Sequence, residues 1–347
     1  MNEGIAVSMS ADGDKSGAAV LAGADGAAPR LLEVDAYIRA RMNWRYDSES
    51  SRLWSLYEKS KVAQWNVTTD IDWSYDVRFG APLPDRHSAA VASFASSPDS
   101  PVPRQLINRF RWEYQAWMIS QFLHGEQGAL VTTARLVETV PDISAKIYAA
   151  AQVADEGRHV EAYARYINEK LGVSYPINPG LEVLLRELLG ESRWDIVYLG
   201  MQVVVEGLAL AATRVASTGF GDPIISAVTR MIARDEARHV SFGLIALNGV
   251  YGAMTARELA EREDFMLEAI HLMSQRFLLR ELWERFGLDA VKGARFAKTD
   301  PMMISFRQLL FHKIIHVLRR IGLLTPRIRD LLLAESLARP DVFSHMS

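Results

Sequence analysis

The sequence predicts an all-α protein whose core is a bundle of long helices. In the long stretches between prolines, apolar residues recur three and four positions apart, which is the period of a helix buried on one face. Alternating apolar runs bounded by tight-turn dipeptides, which would indicate β-hairpins, are almost absent. Four predicted helices approach or exceed about 25 residues and are joined by short connections, which is typical of an antiparallel helix bundle.

Glycine and proline positions set the predicted element boundaries. Pro141 is expected to end one long helix and to occupy the first turn of the next. Residues 71–102, rich in Pro, Gly and Ser, are expected to form a loop or linker. The predicted helices lie at 31–70 (one or two), 103–140, 141–171, 181–189, 192–217, 223–251, 255–286, 303–322 and 326–338.

Composition excludes several kinds of function. The 347 residues include no cysteine, so disulfides, a cysteine nucleophile, thiolate zinc sites and cysteine-ligated iron–sulfur clusters are impossible. A net charge of −3 gives no indication of nucleic-acid binding.

Residues 1–30 lack the pattern of a secretory signal and are predicted to be a disordered tail before a single domain at 31–347. No stretch is expected to span a membrane, and the protein is expected to be cytoplasmic.

A motif occurs twice, 80 residues apart. Residues 155–160 are DEGRHV and residues 235–240 are DEARHV, identical at five of six positions. A glutamate lies 30 residues upstream of each motif's own glutamate, Glu126 in the first copy and Glu206 in the second. The chain therefore contains two copies of a helix pair, each with Glu on its first helix and Glu-x-x-His on its second.

This spacing favours a metal site. Residues i and i+3 share a helix face, so Glu156 with His159, and Glu236 with His239, can each point at one centre. An isolated acidic-x-x-His is expected by chance, and a single buried Glu or His more often lies at a bundle edge. Glutamates among apolar residues, however, cost several kcal/mol unless paired or ligated. Four carboxylates and two imidazoles suit two iron or manganese ions and mark di-iron carboxylate bundles.

At these residues the chain resembles the ferritin-like superfamily, on its ribonucleotide reductase small-subunit and di-iron oxygenase side. The resemblance covers residues 103–250, with a weaker match at 59–66 and 70–73. It implies a ferritin-like four-helix bundle with extra N- and C-terminal helices. The metal ligands that it implies are Glu126, Glu156, His159, Glu206, Glu236 and His239. It further implies that Asp155 accepts a hydrogen bond from His239 and Asp235 from His159, with Arg158 and Arg238 balancing the two aspartates; the alternative for the arginines is a solvated helix face.

Three positions bear on the branch of the superfamily. Arylamine N-oxygenases add a histidine where this chain has Ile232, and multicomponent hydroxylases carry a threonine where it has Leu210. Both departures argue against those two branches. Tyr163 follows His159 by four residues, where reductase small subunits carry a radical tyrosine; the alternative is a buried, hydrogen-bonded tyrosine.

We expect an O2-dependent oxygenase or oxidase that hydroxylates, N-oxygenates or desaturates a small organic substrate. Its cofactor would be two iron ions, with Mn/Fe as the alternative, and its electrons would come from a separate ferredoxin or flavin reductase. A ferroxidase and a radical-generating subunit are the other interpretations, and a homodimer is expected. Residues one turn from the ligands are the predicted pocket walls, although the small ones also suit close packing: Phe122, Ala129, Leu130, Gln202, Ala209, Leu210, Ile232 and Gly243.

Overall fold

The computed structural model describes residues 32–46, 50–80 and 91–343, and the predicted disordered tail at 1–30 lies outside them. These residues are predominantly α-helical, and no β-strand occurs among them. The helices are α1 (Ser51–Val62), α2 (Ala92–Ser96), α3 (Ile107–Thr139), α4 (Ile143–Tyr166), α5 (Pro179–Gly190), α6 (Trp194–Tyr198), α7 (Glu206–Gly219), α8 (Pro223–Ala246), α9 (Ala256–Arg276), α10 (Arg280–Arg285), α11 (Ala290–Thr299), α12 (Pro301–Ile321) and α13 (Pro326–Ala334).

Four helical segments form the central bundle. Helix α3 packs along α4, α7 packs along α8, and α4 joins the two pairs by packing against α8. Helices α6 and α7 are joined by a π-helical turn, Leu199–Val205, into one continuous run. This is the predicted ferritin-like bundle, with its two copies of a helix pair and its additional terminal helices.

Caps define the helices that carry the repeated motif. The Asp142 side chain accepts from the Ala145 backbone N–H at the start of α4, and Asp222 caps α8 in the same manner with Pro223 in the first turn. Pro141 therefore precedes the capping residue and does not lie in the first turn of α4, contrary to the prediction. At the far end of α4 a π turn ends at Gly172, whose φ of 65° stops the helix.

Four segments differ from the predicted elements. Residues 32–46 form no helix, and backbone and side-chain hydrogen bonds instead tie them to the α3–α4 connection, at Glu138 and Pro141. The predicted helix at 255–286 is broken where Leu279 has a φ of 58°, so it becomes α9 and α10. Helices α2 and α11 were not predicted; both are short, and α2 lies inside the predicted linker at 71–102.

One segment is apolar enough to cross a membrane by length and composition alone, against the expectation that none is. It is the run Trp194–Gly219, and 89% of its most apolar window is buried inside the protein. The π turn and α7 within this run pack against α8 and α12. Its hydropathy therefore reflects its position at the centre of the bundle.

The remaining helices surround the bundle. Helix α1 packs against α4 and α8, the two helices that carry the repeated motif. Helices α5 and α9 pack together beside α3, and α12 crosses α7. These surrounding helices enclose the bundle core on which the candidate site lies.

Candidate metal centre

The six predicted ligands lie together in the interior of the bundle. Glu126 comes from the middle of α3 and Glu206 from the first turn of α7. Glu156 with His159 on α4, and Glu236 with His239 on α8, project from the motif helices. None of the six is more than 5% exposed. Burial of this many ionisable groups at one place is very costly without counter-charges.

The imidazole of His159 faces three carboxylates. Its Nδ1 lies 3.2 Å from Glu126 Oε2, 3.2 Å from Glu156 Oε2 and 3.3 Å from Glu236 Oε1. Ligand atoms of these four residues all lie within 4.8 Å of one another. This is the geometry of one cation position with mixed nitrogen and oxygen donors.

The imidazole of His239 faces a second carboxylate set. Its Nδ1 lies 3.2 Å from Glu156 Oε1 and 3.5 Å from both Glu206 Oε2 and Glu236 Oε2. Ligand atoms of Glu156, Glu206 and His239 also lie within 4.8 Å of one another. Glu156 belongs to both groups, one oxygen facing each histidine, so it is placed to bridge two cations.

The other nitrogen of each imidazole is hydrogen-bonded to an aspartate of the opposite motif. Nε2 of His159 lies 3.1 Å from Asp235 Oδ2, and Nε2 of His239 lies 3.3 Å from Asp155 Oδ2. A carboxylate only accepts, so each Nε2 donates to its aspartate, which leaves each Nδ1 as the nitrogen that faces the carboxylate cluster and that would bind a metal ion. The structure thus contains the crossed Asp–His pairs that the resemblance implies.

The two arginines of the motif lie against these aspartates. Nη2 of Arg158 is 2.5 Å from Asp155 Oδ1, and Nη2 of Arg238 is 2.5 Å from Asp235 Oδ1. Each arginine also lies within 3.5 Å of the other aspartate. Both arginine side chains are only 12% exposed, so they are not on a solvated face.

Electrostatics hold the two aspartates ionised. Burial alone would raise the pKa of Asp155, but the hydrogen bond and charge of His239, with Arg158, outweigh burial and lower that pKa. The pKa of Asp235 is lowered in the same way, against its own burial, by His159 and Arg238. Both aspartates therefore remain acceptors that fix the imidazole orientation.

Three residues at the centre were not predicted. Gln64, after α1, donates to Asp155 Oδ1 at 3.1 Å, and the indole N–H of Trp65 donates to Asp235 Oδ2 at 2.8 Å. Gln152 donates to Glu156 Oε1 at 2.8 Å and to Glu206 Oε1 at 2.9 Å. Gln64 and Trp65 lie in the upstream segment that carries the weaker resemblance. Gln152 gives no signal in the repeat, because the residue 80 positions later is Ile232.

The residues present fit a pair of divalent cations. Glu156 Oε2, both carboxylate oxygens of Glu236 and Nδ1 of His239 are buried and have no hydrogen-bond partner among the described residues. Burial, with the charge of Glu206, raises the pKa of Glu156 to about 8 and the pKa of Glu236 well above its ordinary value. Burial would lower the pKa of His159, but Glu126 and Asp235 raise it instead. The cluster therefore favours the binding of positive charge, either as protons or as metal ions.

An apolar cavity adjoins the cluster on the side of α3 and α7. Its wall includes the ligand candidates Glu126 and Glu206, so it opens directly onto them. The rest of the wall comes largely from α3, α7 and α9, with one cationic residue, Arg276. A small apolar site of this kind, with few polar groups, is typical of substrate binding.

Three of the eight predicted wall residues line this cavity, namely Phe122, Ala129 and Ala209. The other five do not, and two of them, Ile232 and Gly243, lie on α8, which contributes no residue to this wall. Those five are Leu130, Gln202, Leu210, Ile232 and Gly243. Gln202 donates to Gln152 at 3.1 Å, and a Cβ at Gly243 would lie 2.4 Å from Gln202 Cβ, so Gly243 is a close-packing position.

Tyr163 is buried beside the centre. Its ring centroid lies 5.5 Å from that of Phe122, and its hydroxyl has no hydrogen-bond partner among the described residues. Burial, with the charge of Glu126, raises its pKa well above the ordinary value, so it is a neutral phenol. A radical role for Tyr163 stays a prediction.

Comparison with known proteins identifies a family. The model of the AurF family, described as p-aminobenzoate N-oxygenase, matches residues 130–322, more than half of the chain. This match contains five of the six ligand candidates, and it also contains Ile232. The sequence-based argument against this branch, that Ile232 stands where arylamine N-oxygenases carry a histidine, was therefore wrong.

Solved structures of R2-like ligand-binding oxidases are also similar. A variant with an anaerobically reconstituted Mn/Fe cofactor is 18% identical with a TM-score of 0.47, covering 80% of this chain and 95% of that chain. Another structure, with an aerobically reconstituted Mn/Fe cofactor, is 18% identical with a TM-score of 0.41, covering 84% and 92%. No curated protein matches the chain. On the strength of the family match, the chain belongs to the AurF family and is a di-metal oxidoreductase.

Proposed function

We propose that the protein is an O2-dependent di-iron oxygenase that oxidises the amine nitrogen of a small aromatic carboxylate. The reaction type and substrate class follow the description of the family model, p-aminobenzoate N-oxygenase. The observation that carries the proposal is the apolar cavity, which has Glu126 and Glu206 in its wall and one arginine, Arg276.

Arg276 supports a carboxylate on the substrate. Its Nη2 donates to the Gln121 carbonyl at 3.2 Å, whereas its Nε is buried without a partner among the described residues. Burial lowers its pKa to about 10, so it is still a cation at neutral pH. A guanidinium in an apolar wall is stabilised by a carboxylate that binds two of its N–H groups.

The spacing of the wall suits one aromatic ring. Arg276 contacts α3 at Gln121, five residues before Glu126, which corresponds to roughly 7.5 Å along the helix axis. Gly125 also lines the cavity, and a Cβ there would meet nothing within 4 Å, so the helix leaves open space beside Glu126. A ring whose carboxylate binds Arg276 would direct its opposite substituent toward the ligand cluster.

The chain's own groups would prepare the centre for this chemistry. When bound, the metal pair would supply the activation of O2. Glu126, Glu156, Glu206, Glu236 and the two histidines would hold it, while the apolar wall excludes water from the substrate. Electrons would come from a separate protein, since the chain has no cysteine for an iron–sulfur cluster.

Single-turnover oxidation of p-aminobenzoate by the iron-loaded, chemically reduced protein tests this proposal. We expect hydroxylamino or nitro products by mass spectrometry, and weaker p-aminobenzoate binding in Arg276→Leu but not in Arg285→Leu. Arg285 is an exposed arginine outside the cavity wall and serves as the matched control. Iron uptake that produces a mineral core without any oxygenated product would contradict the proposal in favour of a ferroxidase.

A further inference from the structure

A stripe of basic side chains covers the surface where α12 crosses α7. Its members on α12 follow the spacing of one helix face, and a residue of α7 extends the stripe. This basic face consists of Arg214, His312, Lys313, His316, Arg319 and Arg320. All six are exposed except Lys313, which is half-buried.

No acid among the described residues forms an ion pair that neutralises the basic face. None of its members forms an ion pair with a carboxylate in the described part of the chain, although ion pairs occur on other surfaces, such as Arg327 with Glu263. Among the described residues, Arg319 donates only to the Val342 carbonyl, at 2.7 Å. Burial lowers the pKa of Lys313, and the neighbouring Arg214 and Arg320 lower it further. A chain with a net charge of −3 thus concentrates positive potential at this face.

The basic face lies over the candidate metal centre. At the helix crossing, the Cβ that Gly207 lacks would lie 3.2 Å from Ile314 Cγ1, so the two helices approach closely there. Gly207 follows the ligand candidate Glu206, and Ile314 follows Lys313. Arg214 is eight residues from Glu206, roughly 12 Å along α7. The crossing therefore connects the charged surface to the centre over a short path through packed protein.

The positive charge of the basic face determines which kind of protein can bind there. A second copy of the chain related by a two-fold axis would place this face against itself, so like charges would repel. An acidic protein would be attracted and oriented by the same field. The proposed oxygenation also requires two electrons from outside the chain.

We propose that the basic face docks an acidic one-electron carrier protein of the ferredoxin type. This inference rests on the proposed function, because the proposed oxygenation is what requires electrons. Each turnover would oxidise two carriers by one electron each. That electron pair, with two protons from solvent, converts the oxygen atom that is not inserted into substrate to water.

Binding of an oxidised, acidic [2Fe–2S] ferredoxin to the metal-loaded protein tests the inference without turnover. In the triple variant Arg214→Glu, Lys313→Glu, Arg320→Glu we expect the Kd to rise roughly tenfold or more. The control Arg52→Glu, Lys59→Glu, Lys61→Glu changes the net charge equally on exposed positions of α1 and is expected to bind as the unmodified protein does. Affinity is also expected to fall steeply as salt is raised.

Two results would overturn the inference. The first is equal ferredoxin binding by both triple variants. The second is tighter binding of a single-stranded oligonucleotide than of ferredoxin, with competition between them, since the face would then serve nucleic acid. Metal content and circular dichroism verify that each variant folds. Oxygenation driven by dithionite bypasses the carrier, so its absence in the unmodified protein would count against the proposed function alone.

Discussion

Nε2 of His159 hydrogen-bonds Oδ2 of Asp235 at 3.1 Å, although the two residues come from different copies of the repeated motif. His239 and Asp155 form the reciprocal pair at 3.3 Å. Each copy thus supplies the group that orients the other copy's imidazole. The two helix pairs are thereby coupled through the centre, and neither copy is complete alone.

The aspartate in this pair is expected to control metal affinity. Asp235→Asn removes the carboxylate that holds the His159 tautomer and that accepts from Trp65. We expect divalent-metal affinity to fall by about 10- to 100-fold, as is common for partners of metal-bound histidine. Competition titration with a chelator measures it. Asp76→Asn, at an exposed ion pair with Arg78, serves as the control, and an equal loss there would contradict this role.

The two metal positions are expected to respond differently to loss of single glutamates. Glu156 belongs to both ligand groups, whereas Glu206 belongs to one. We therefore expect Glu156→Ala to lose both ions and Glu206→Ala to retain one, as measured by elemental analysis of the purified protein. Equal metal content in the two variants would show that Glu156 does not bridge.

Metal binding is expected to strengthen as pH rises. Burial and Glu206 raise the pKa of Glu156 from its ordinary 4.5 to about 8, so the folded apoprotein binds a proton that the unfolded chain has released. That group favours folding less and less as pH rises between these values, and a metal ion that replaces the proton reverses the effect. The increase in Tm on metal loading should be larger at about pH 8 than at about pH 6. A larger increase at the lower pH would contradict this assignment.

Filling the cavity at Gly125 is expected to block substrate while leaving the fold intact. Gly125→Leu places a side chain in the open space beside Glu126 and replaces a glycine in a helix interior, which stabilises by about 1 kcal/mol at most. We expect unchanged or higher Tm, unchanged metal content and loss of p-aminobenzoate binding in a calorimetric titration.

Gly157 offers the matched control for that variant. It also stands beside a ligand candidate in a helix, has open space at its Cβ position, and is not part of the cavity wall. Gly157→Leu should retain substrate binding. If both leucine variants bind p-aminobenzoate like the unmodified protein, the cavity is not the substrate site.

The repeat made the centre predictable. A helix face is fixed by spacing alone, so Glu156 and His159 had to point the same way, and the 80-residue offset placed Glu236 and His239 opposite them. The cost of burying Glu126 and Glu206 then indicated that all six converge. The crossed aspartates followed from the resemblance, and the structure has both.

The cavity was less predictable because it depends on how helices outside the motif pack. Arg276 lies on α9, far from the repeat in sequence, and only the folded chain brings it to Gln121 of α3. Ile232 lies one turn from Glu236, yet it packs in the core away from the cavity, on the α8 side. Gln152 was not predicted for another reason, because its contacts with Glu156 and Glu206 have no counterpart in the second copy.

Anomalous diffraction from crystals soaked anaerobically in ferrous iron tests the central claim most directly. Two iron peaks are expected, one within the group Glu126, Glu156, His159 and Glu236, and one within the group Glu156, Glu206 and His239. Both peaks should face Nδ1 of the nearer histidine, since Nε2 is held by aspartate. Absence of iron from both positions, in protein that binds iron elsewhere, would contradict the account.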